Sequence, residues 1–201
     1  MKEISVATRT LWLVRHGETP WSILGRHTGR TDLGLTSQGK QQAAALGSRL
    51  SGHRFGLILT SPLLRASETC RLAGYNGAAS VEADLQEWDY GTFEGRTTAD
   101  IRLEQPSWDL WNTGASGGET PSAVGRRADR VIARAMAAEG DVALFAHGHL
   151  LRVLAARWLG FAPSAGGSLA LDTASVSVLG LERERRVIRL WNETCHLAYE
   201  Q

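Results

Sequence analysis

With 201 residues, 22 Lys and Arg against 21 Asp and Glu and a formal net charge of +1, the chain has no overall field to hold nucleic acid or an anionic membrane, so any affinity for anions is local. Its 43% hydrophobic and 21% charged residues are ordinary for a globular protein, one long enough to bury a core without disulfide or metal. Met1 to Thr10 lacks the apolar run of a secretory signal, and nothing approaches the ~20 apolar residues of a membrane span, so a cytoplasmic location is expected.

In chain order, three short continuous apolar runs stand out: Leu11–Val14, Leu57–Leu59 and Val142–Ala146. Such runs suit strands buried on both faces of a parallel sheet. Two further strands are predicted at Ser175–Leu181 and Arg186–Trp191, a hairpin at the sheet edge turning through the solvated, charged Glu182–Arg185. Helical spacing fills the gaps. Thr36 caps a helix over Gln41–Leu50, and Ser61-Pro62 reads as a capping hydroxyl followed by a first-turn proline, opening a helix from Leu63 to about Ala73 that ends at Gly74. Ser122–Ala138 and Leu150–Leu159 complete the set, the last closed by Gly160 and Pro163. Alternating strands and helices predict a three-layer α/β/α sandwich with a mainly parallel sheet. Residues from about 85 to 120 break the pattern. Trp88, Tyr90, Phe93, Trp108 and Trp111 lie there among Gly, Asp and Glu, which predicts an insertion or lid over one end of the sheet with a short helix at Thr98–Glu104. Trp108 and Trp111, three apart, read as the apolar seam of that segment. Cys70 and Cys195 sit in no metal-ligand spacing and read as reduced, partly buried thiols.

The first run ends in Arg15-His16-Gly17, the second leads through Ser61-Pro62 to Arg65, and the third ends in His147-Gly148 before a helix. If the strands are parallel, all three ends share the edge where open α/β sheets bind ligands. That edge would hold two guanidinium forks, two imidazoles and the free N–H groups of two helix starts, a setting suited to a tetrahedral dianion. Taken singly, each piece has a plainer reading: a solvated Arg-His loop, an Arg65–Glu68 pair on a helix, a satisfied histidine at a turn.

Leu13-Val14-Arg15-His16-Gly17-Glu18-Thr19 resembles the signature of the histidine phosphatase superfamily, phosphoglycerate-mutase-like branch. Ser61-Pro62-Leu63-Leu64-Arg65-Ala66 matches its second arginine motif, Glu87 stands where the family carries an acid/base carboxylate, and Ala146-His147-Gly148 matches its second histidine. The runs Gly25–Gly29, Glu87–Gly91 and Trp108–Trp111 resemble a narrower group that includes the fungal sedoheptulose bisphosphatase and a mutase-like mycobacterial acid phosphatase. The resemblance covers nearly the whole chain and implies one histidine phosphatase domain over residues 1–201.

The resemblance implies a cofactor-free, metal-independent phosphatase acting on small phosphate esters such as sugar phosphates, with a phosphohistidine on His16 and phosphoryl-oxygen contacts from Arg15, Arg65 and His147. Glu87 is implied as proton donor and acceptor, with a pKa expected to be raised by its aromatic surroundings. Thr28, Gly29 and Tyr90 match substrate-contacting positions, Gly148 offers a backbone N–H, and Ser22 replaces the Asn of many members. His149 is read as packing against its helix, outside the site. Arg26, Arg30 and Arg96 are candidates for a second phosphate. A charged His147 beside a neutral His16 implies a mildly acidic to neutral pH preference.

The alternative is phosphoglycerate mutase activity in the same site; the stretch Pro106–Glu119, with no Lys or Arg, argues for phosphatase. A metal hydrolase built on His16, His147, His149 and Glu87 and a non-enzymatic phosphate sensor are the remaining readings. The expected partner is a small phosphate ester, with no nucleic acid and no membrane; a homo-oligomer is compatible with the sequence.

Overall fold

The computed structural model describes residues 9–197; apart from Arg9 and Thr10, the segment read above as lacking a signal lies outside them. A six-stranded sheet runs in the order β3-β2-β4-β1-β5-β6. Its centre is parallel: β1 (Leu11–Arg15) pairs with β4 (Asp141–Ala146), and β4 with β2 (Phe55–Thr60). The two-residue β3 (Ser80–Val81) extends the parallel part at one edge. At the other, β5 (Val176–Glu182) runs antiparallel to β1, and β6 (Arg185–Glu193) completes the expected hairpin.

The apolar runs are continuous because both faces of these strands are covered. Leu11, Leu13, Val142 and Leu144 point into one core with α6 (Pro121–Ala137) and α7 (Gly148–Trp158). Trp12, Val14, Ala143 and Phe145, the alternate positions, point into a second core with α2 (Ser37–Leu50) and α3 (Leu64–Cys70). The three-layer sandwich is therefore present. Among the described residues no helix is long and apolar enough to cross a membrane.

Local signals explain most helix ends. Thr36 caps α2 by accepting from the Gly39 N–H at 2.9 Å, and Thr120 caps α6 ahead of Pro121. The helix α4 (Thr98–Glu104) has the expected bounds, set by a reciprocal capping box between Thr97 and Asp100. Two four-residue helices, α1 (Pro20–Ile23) and α5 (Leu110–Thr113), are additional. Ser61-Pro62 corrects the expectation of a helix start. Helix α3 begins at Leu64, its first N–H donates to Asp32 at 2.6 Å, and the Ser61 hydroxyl lies 2.8 Å from His147 Nε2 instead. The hydroxyl accepts from the Leu63 N–H at 3.3 Å as well as meeting His147, so it closes the turn ahead of the helix and does not cap α3 itself. Past Cys70 the helix widens into a wide turn over Arg71–Tyr75, closed by Gly74 at φ +95°.

Cys70 is buried, and burial pushes its thiol up to about 12; Cys195 is exposed, not partly buried as expected, because it follows the last strand. The 85–120 segment turns its aromatics inward, where Trp88, Tyr90, Phe93 and Trp108 join the core on the α6/α7 face. Trp108 packs edge-on to Phe93, and Trp111 edge-on to Trp88, so the seam reading of the pair describes real contacts.

The start of α2 holds the loop that follows β1. Thr36 N–H donates to the Glu18 carbonyl at 3.0 Å, Glu18 N–H donates to Gln42 at 2.8 Å, and Gly17 N–H donates to Thr69 at 3.1 Å. The approach requires glycine: a Cβ on Gly39 would stand 2.1 Å from the Glu18 carbonyl oxygen. Gly39→Ala is expected to destabilise the fold by about 1–3 kcal/mol and to lower activity through displacement of the His16 loop, read by urea unfolding and turnover on one preparation.

Candidate active site

Beyond the last residues of β1 and β4 the chain leaves the sheet at one edge, and the ladder continues into the residues singled out above. His16 N–H donates to the Ala146 carbonyl at 3.0 Å and Ser61 N–H to the Phe145 carbonyl at 2.9 Å. His16 and His147 thereby stand with ring centroids 5.3 Å apart. Both are buried.

His16 Nδ1 lies 2.7 Å from the Gly17 carbonyl, which can only accept, so Nδ1 carries the proton and Nε2 the lone pair. Burial first, then the charges of Arg15 and Arg65, hold its pKa well below the ordinary value. Arg65 is fully buried. Its Nε donates to His147 Nδ1 at 3.1 Å, and its terminal nitrogens donate to the carbonyls of Thr28, Gly29 and Thr31 at 2.9 to 3.0 Å. Four of its N–H groups are committed within the protein.

His147, accepting from that guanidinium, is neutral, with its own proton on the side of Ser61; burial, Arg65 and His16 hold its pKa well below the ordinary range. The expectation of a charged His147 is thus corrected: a ring that accepts from an arginine N–H has no second proton to carry.

A cavity of about 250 Å³ opens beside His16 and is lined by Arg15, Ser22, Thr28, Glu87, Tyr90 and Gly148, among others. Arg15 donates to the Leu171 carbonyl, and its buried Nε has no partner among the described residues. Its guanidinium lies where a Gly148 side chain would go, at 3.3 Å from the ideal Cβ, so glycine at 148 is what admits the arginine. Arg65 and His147 sit behind this wall without lining it. Gly29 is outside the cavity, its N–H donating to Glu94 at 2.9 Å. Ser22 lines the cavity while its hydroxyl closes the α1 capping box with Thr19.

Glu87 departs most from expectation. Its carboxylate accepts from the N–H groups of Trp88, His149 and Leu150 at 2.8 to 3.0 Å, two of them in the first turn of α7. Burial pushes its pKa up, but the contacts with His149, His147 and the Trp88 N–H outweigh this and hold it well below the usual carboxylate range. The expected upward shift is corrected: burial does desolvate the group, yet His149, His147 and the Trp88 N–H stabilise the anion more.

Residues 11–194 match the family described as histidine phosphatase superfamily, branch 1. The chain belongs to this superfamily. It is 38% identical over 197 residues to an acid phosphatase of Mycobacterium tuberculosis, covering 96% of this chain and 97% of that protein. It is 37% identical over 181 residues to the sedoheptulose 1,7-bisphosphatase of Saccharomyces cerevisiae, covering 74% of this chain and 66% of that one. A solved structure of a Mycobacterium tuberculosis open reading frame superposes with a TM-score of 0.88 at 38% identity, covering 92% of this chain and 98% of the other. The protein is a phosphoric monoester hydrolase of the histidine phosphatase superfamily.

Of the three arginines considered for a second phosphate, only Arg26 lines this histidine phosphatase cavity; Arg30 pairs with Asp89 and Arg96 with Glu104. Four lining or supporting residues were not placed in the site by the sequence. His27, stacked 4.7 Å from Tyr90, is held down to about 4 by burial and then by His149. His149 lines the cavity and does not simply pack on its helix, and Arg152, one turn on along α7, lines it too. Their signal was helical spacing from Gly148, which puts residue 152 on the same face. The fourth, Arg127, ties the loops behind Glu87: it pairs with Glu119 at 2.7 Å and donates to the carbonyls of Asp84, Gln86 and Glu87. Arg127→Met leaves Glu119 with only the Asp89 N–H and takes a donor from three carbonyls, with an expected loss of about 3 kcal/mol in denaturant unfolding and a parallel drop in turnover.

Proposed function

We propose that the chain hydrolyses small-molecule phosphate monoesters through a phosphohistidine on His16. The observation that carries this is the Nε2 lone pair of His16. Its orientation is fixed by the Nδ1–H bond to Gly17, it stays unprotonated because of burial and two arginines, and it lines the same cavity as Arg15 and Glu87. The phosphoryl group binds with its oxygens on Arg15, whose buried Nε lacks a partner, and on the Gly148 N–H, which has none among the described residues. Arg65 and His147 act from behind: the guanidinium supplies positive field and the neutral imidazole holds it in place.

In the first step Nε2 attacks phosphorus in line and the bond to the leaving oxygen breaks. Glu87 is a carboxylate before substrate arrives, and the charge of a bound phosphate raises its affinity for a proton. The proton that enters with a phosphate monoanion is shared with Glu87 and passes to the leaving alkoxide. In the second step Glu87 takes a proton from water as the water attacks phosphohistidine, releasing phosphate and the free imidazole. The guanidinium charges already face the phosphoryl group, so the scheme needs neither metal nor cofactor. Among the described residues no three His, Cys, Asp or Glu side chains gather in a metal-binding group. Transfer back to a sugar acid, the mutase outcome, is disfavoured by the absence of Lys and Arg over Pro106–Glu119.

His16→Ala is expected to lower turnover by at least ~10³-fold and to abolish the acid-labile phosphate that wild-type protein carries during turnover, measured by acid quench with labelled substrate. The pH profile tests the electrostatics. His16 reacts unprotonated and its pKa is depressed, so the reactive form is fully present at pH 6.5 and is lost only as pH falls through the depressed value. The acid limb of kcat/KM is expected well below pH 6.5, and Arg65→Met, by removing a nearby cation, should move it up. A limb at or above pH 6.5 in the wild type contradicts the neutral-nucleophile scheme.

A further inference from the structure

The phosphohistidine scheme leaves the His149 ring in the cavity unused. His149 is the second residue of α7, and its main-chain N–H already serves Glu87. Its imidazole lines the cavity, 5.2 Å between centroids from Trp111 and 5.8 Å from Tyr90. Nδ1 stands 2.7 Å from the Tyr90 hydroxyl. Tyr90 is 1% exposed, and that nitrogen is the hydroxyl's only partner among the described residues. Burial pushes the phenol well above its ordinary pKa, so it keeps its proton. Donating that proton to Nδ1 is the arrangement that leaves no buried hydroxyl hydrogen unpaired.

The ring's own proton then sits on Nε2. That atom bonds to no described residue, and the residue lines the cavity. Arg152, on the same face of α7, is of the same character. It spends Nε on the Gly166 carbonyl at 3.0 Å and one terminal nitrogen on the Gly167 carbonyl at 3.2 Å, lies 4.4 Å from the Trp111 ring centroid, and has no carboxylate partner among the described residues. The nearest acceptor, the Glu87 carboxylate 3.9 Å from Nδ1, already takes three main-chain N–H groups, so the Nε2–H of His149 and the remaining N–H groups of Arg152 are donors left for a ligand. A ligand satisfies them with oxygen lone pairs.

We propose that His149 is a specificity-determining donor whose Nε2–H takes an acceptor oxygen on the alcohol part of the ester, with Tyr90 as the positioning residue that fixes its tautomer. The proposal rests on the phosphatase reading above and narrows its substrate class. Compact, oxygen-rich esters such as sugar phosphates and phosphorylated hydroxy acids satisfy the donor, whereas an aryl leaving group without acceptors leaves it unpaired. Tyr90 makes the choice sharper because a ring free to change tautomer can present a lone pair, which suits a hydroxyl donor equally well.

The test compares kcat/KM for fructose 1,6-bisphosphate and 3-phosphoglycerate with that for phenyl phosphate, whose ring offers no acceptor, in wild type, His149→Phe, His149→Gln and Tyr90→Phe. The selectivity ratio, oxygen-rich over phenyl, is expected to fall roughly tenfold or more in His149→Phe, chiefly through KM. Tyr90→Phe should lower it in the same direction by less, and His149→Gln, whose amide still donates, should restore part of it. Should His149→Phe prove unfolded by thermal melting, the Gln and Tyr90 variants carry the comparison. A ratio that stays constant while all substrates decline together overturns the proposal, because packing alone would then account for the ring. Failure of the underlying reading has a different sign: wild-type protein that hydrolyses none of the three esters and carries no acid-labile phosphate.

Discussion

The site depends on the parallel pairing of β1, β4 and β2. Arg15 is in register with Ala146, and Thr60 with Phe145, so three strand ends reach one level of the sheet. Adjacent strands lie about 4.8 Å apart, and this spacing, with the ladder bonds that run past the strand ends, brings His16 and His147 within imidazole contact range across 130 residues of sequence. A one-residue slip of β1 would turn Leu11 and Leu13 to the other core and carry His16 to the wrong face. Because each strand is buried on both faces by specific side chains, that register has no competitor, and the same packing that stabilises the sheet positions the chemistry.

Burying so much charge has consequences that differ from group to group. Arg65 is fully buried without a carboxylate partner, and carbonyl oxygens together with His147 satisfy it. Those bonds make it a fixed cation, not a free fork. A fixed cation next to His16 depresses the imidazole pKa, and burial acts in the same direction, so the nucleophile and the phosphate field arise from one arrangement. Arg15 is the complementary case. Its Nε is desolvated and without a partner among the described residues, an orphan donor that the proposed scheme assigns to the phosphoryl group.

The elements that local pattern determines were legible before the structure. The continuous apolar runs are strands because both faces are covered, Thr36 is a cap because its hydroxyl meets the Gly39 N–H, and α4 spans Thr98–Glu104 because Thr97 and Asp100 close a box. The motif residues also meet as expected at one edge. What remained illegible was fixed by partners distant in sequence. Ser61 has every local mark of a cap, yet α3 begins at Leu64 and the hydroxyl is shared between the Leu63 N–H and His147, 86 residues away. Glu87 is surrounded by aromatics, which pointed to a raised pKa, but the amides of His149 and Leu150 approach it from α7. Arg127 is one arginine of a basic helix until the three carbonyls it gathers are seen. Periodicity locates a residue on a face; it does not say which of several basic residues meets the cavity, and so Arg152 was passed over while Arg30 and Arg96 were considered.

The placement of Glu87 bears on how the two half-reactions are coupled. A helix N-terminus next to a phosphate pocket is usually understood as serving the phosphate. In this protein the first turn of α7 divides its amides, Gly148 facing the cavity and His149 and Leu150 facing Glu87. The same positive end of the helix therefore stabilises two anions that repel each other. While the cavity holds no phosphate, Glu87 has the full benefit and stays ionised. Once a phosphate binds beside it, the mutual repulsion is relieved by moving a proton onto the carboxylate, where the leaving oxygen needs one. When the alcohol departs having taken that proton, Glu87 is again an anion beside phosphohistidine, the state in which it can accept from water. In the proposed scheme the acid and base roles thus follow from occupancy of a shared helix end and require no raised carboxyl pKa in the empty site.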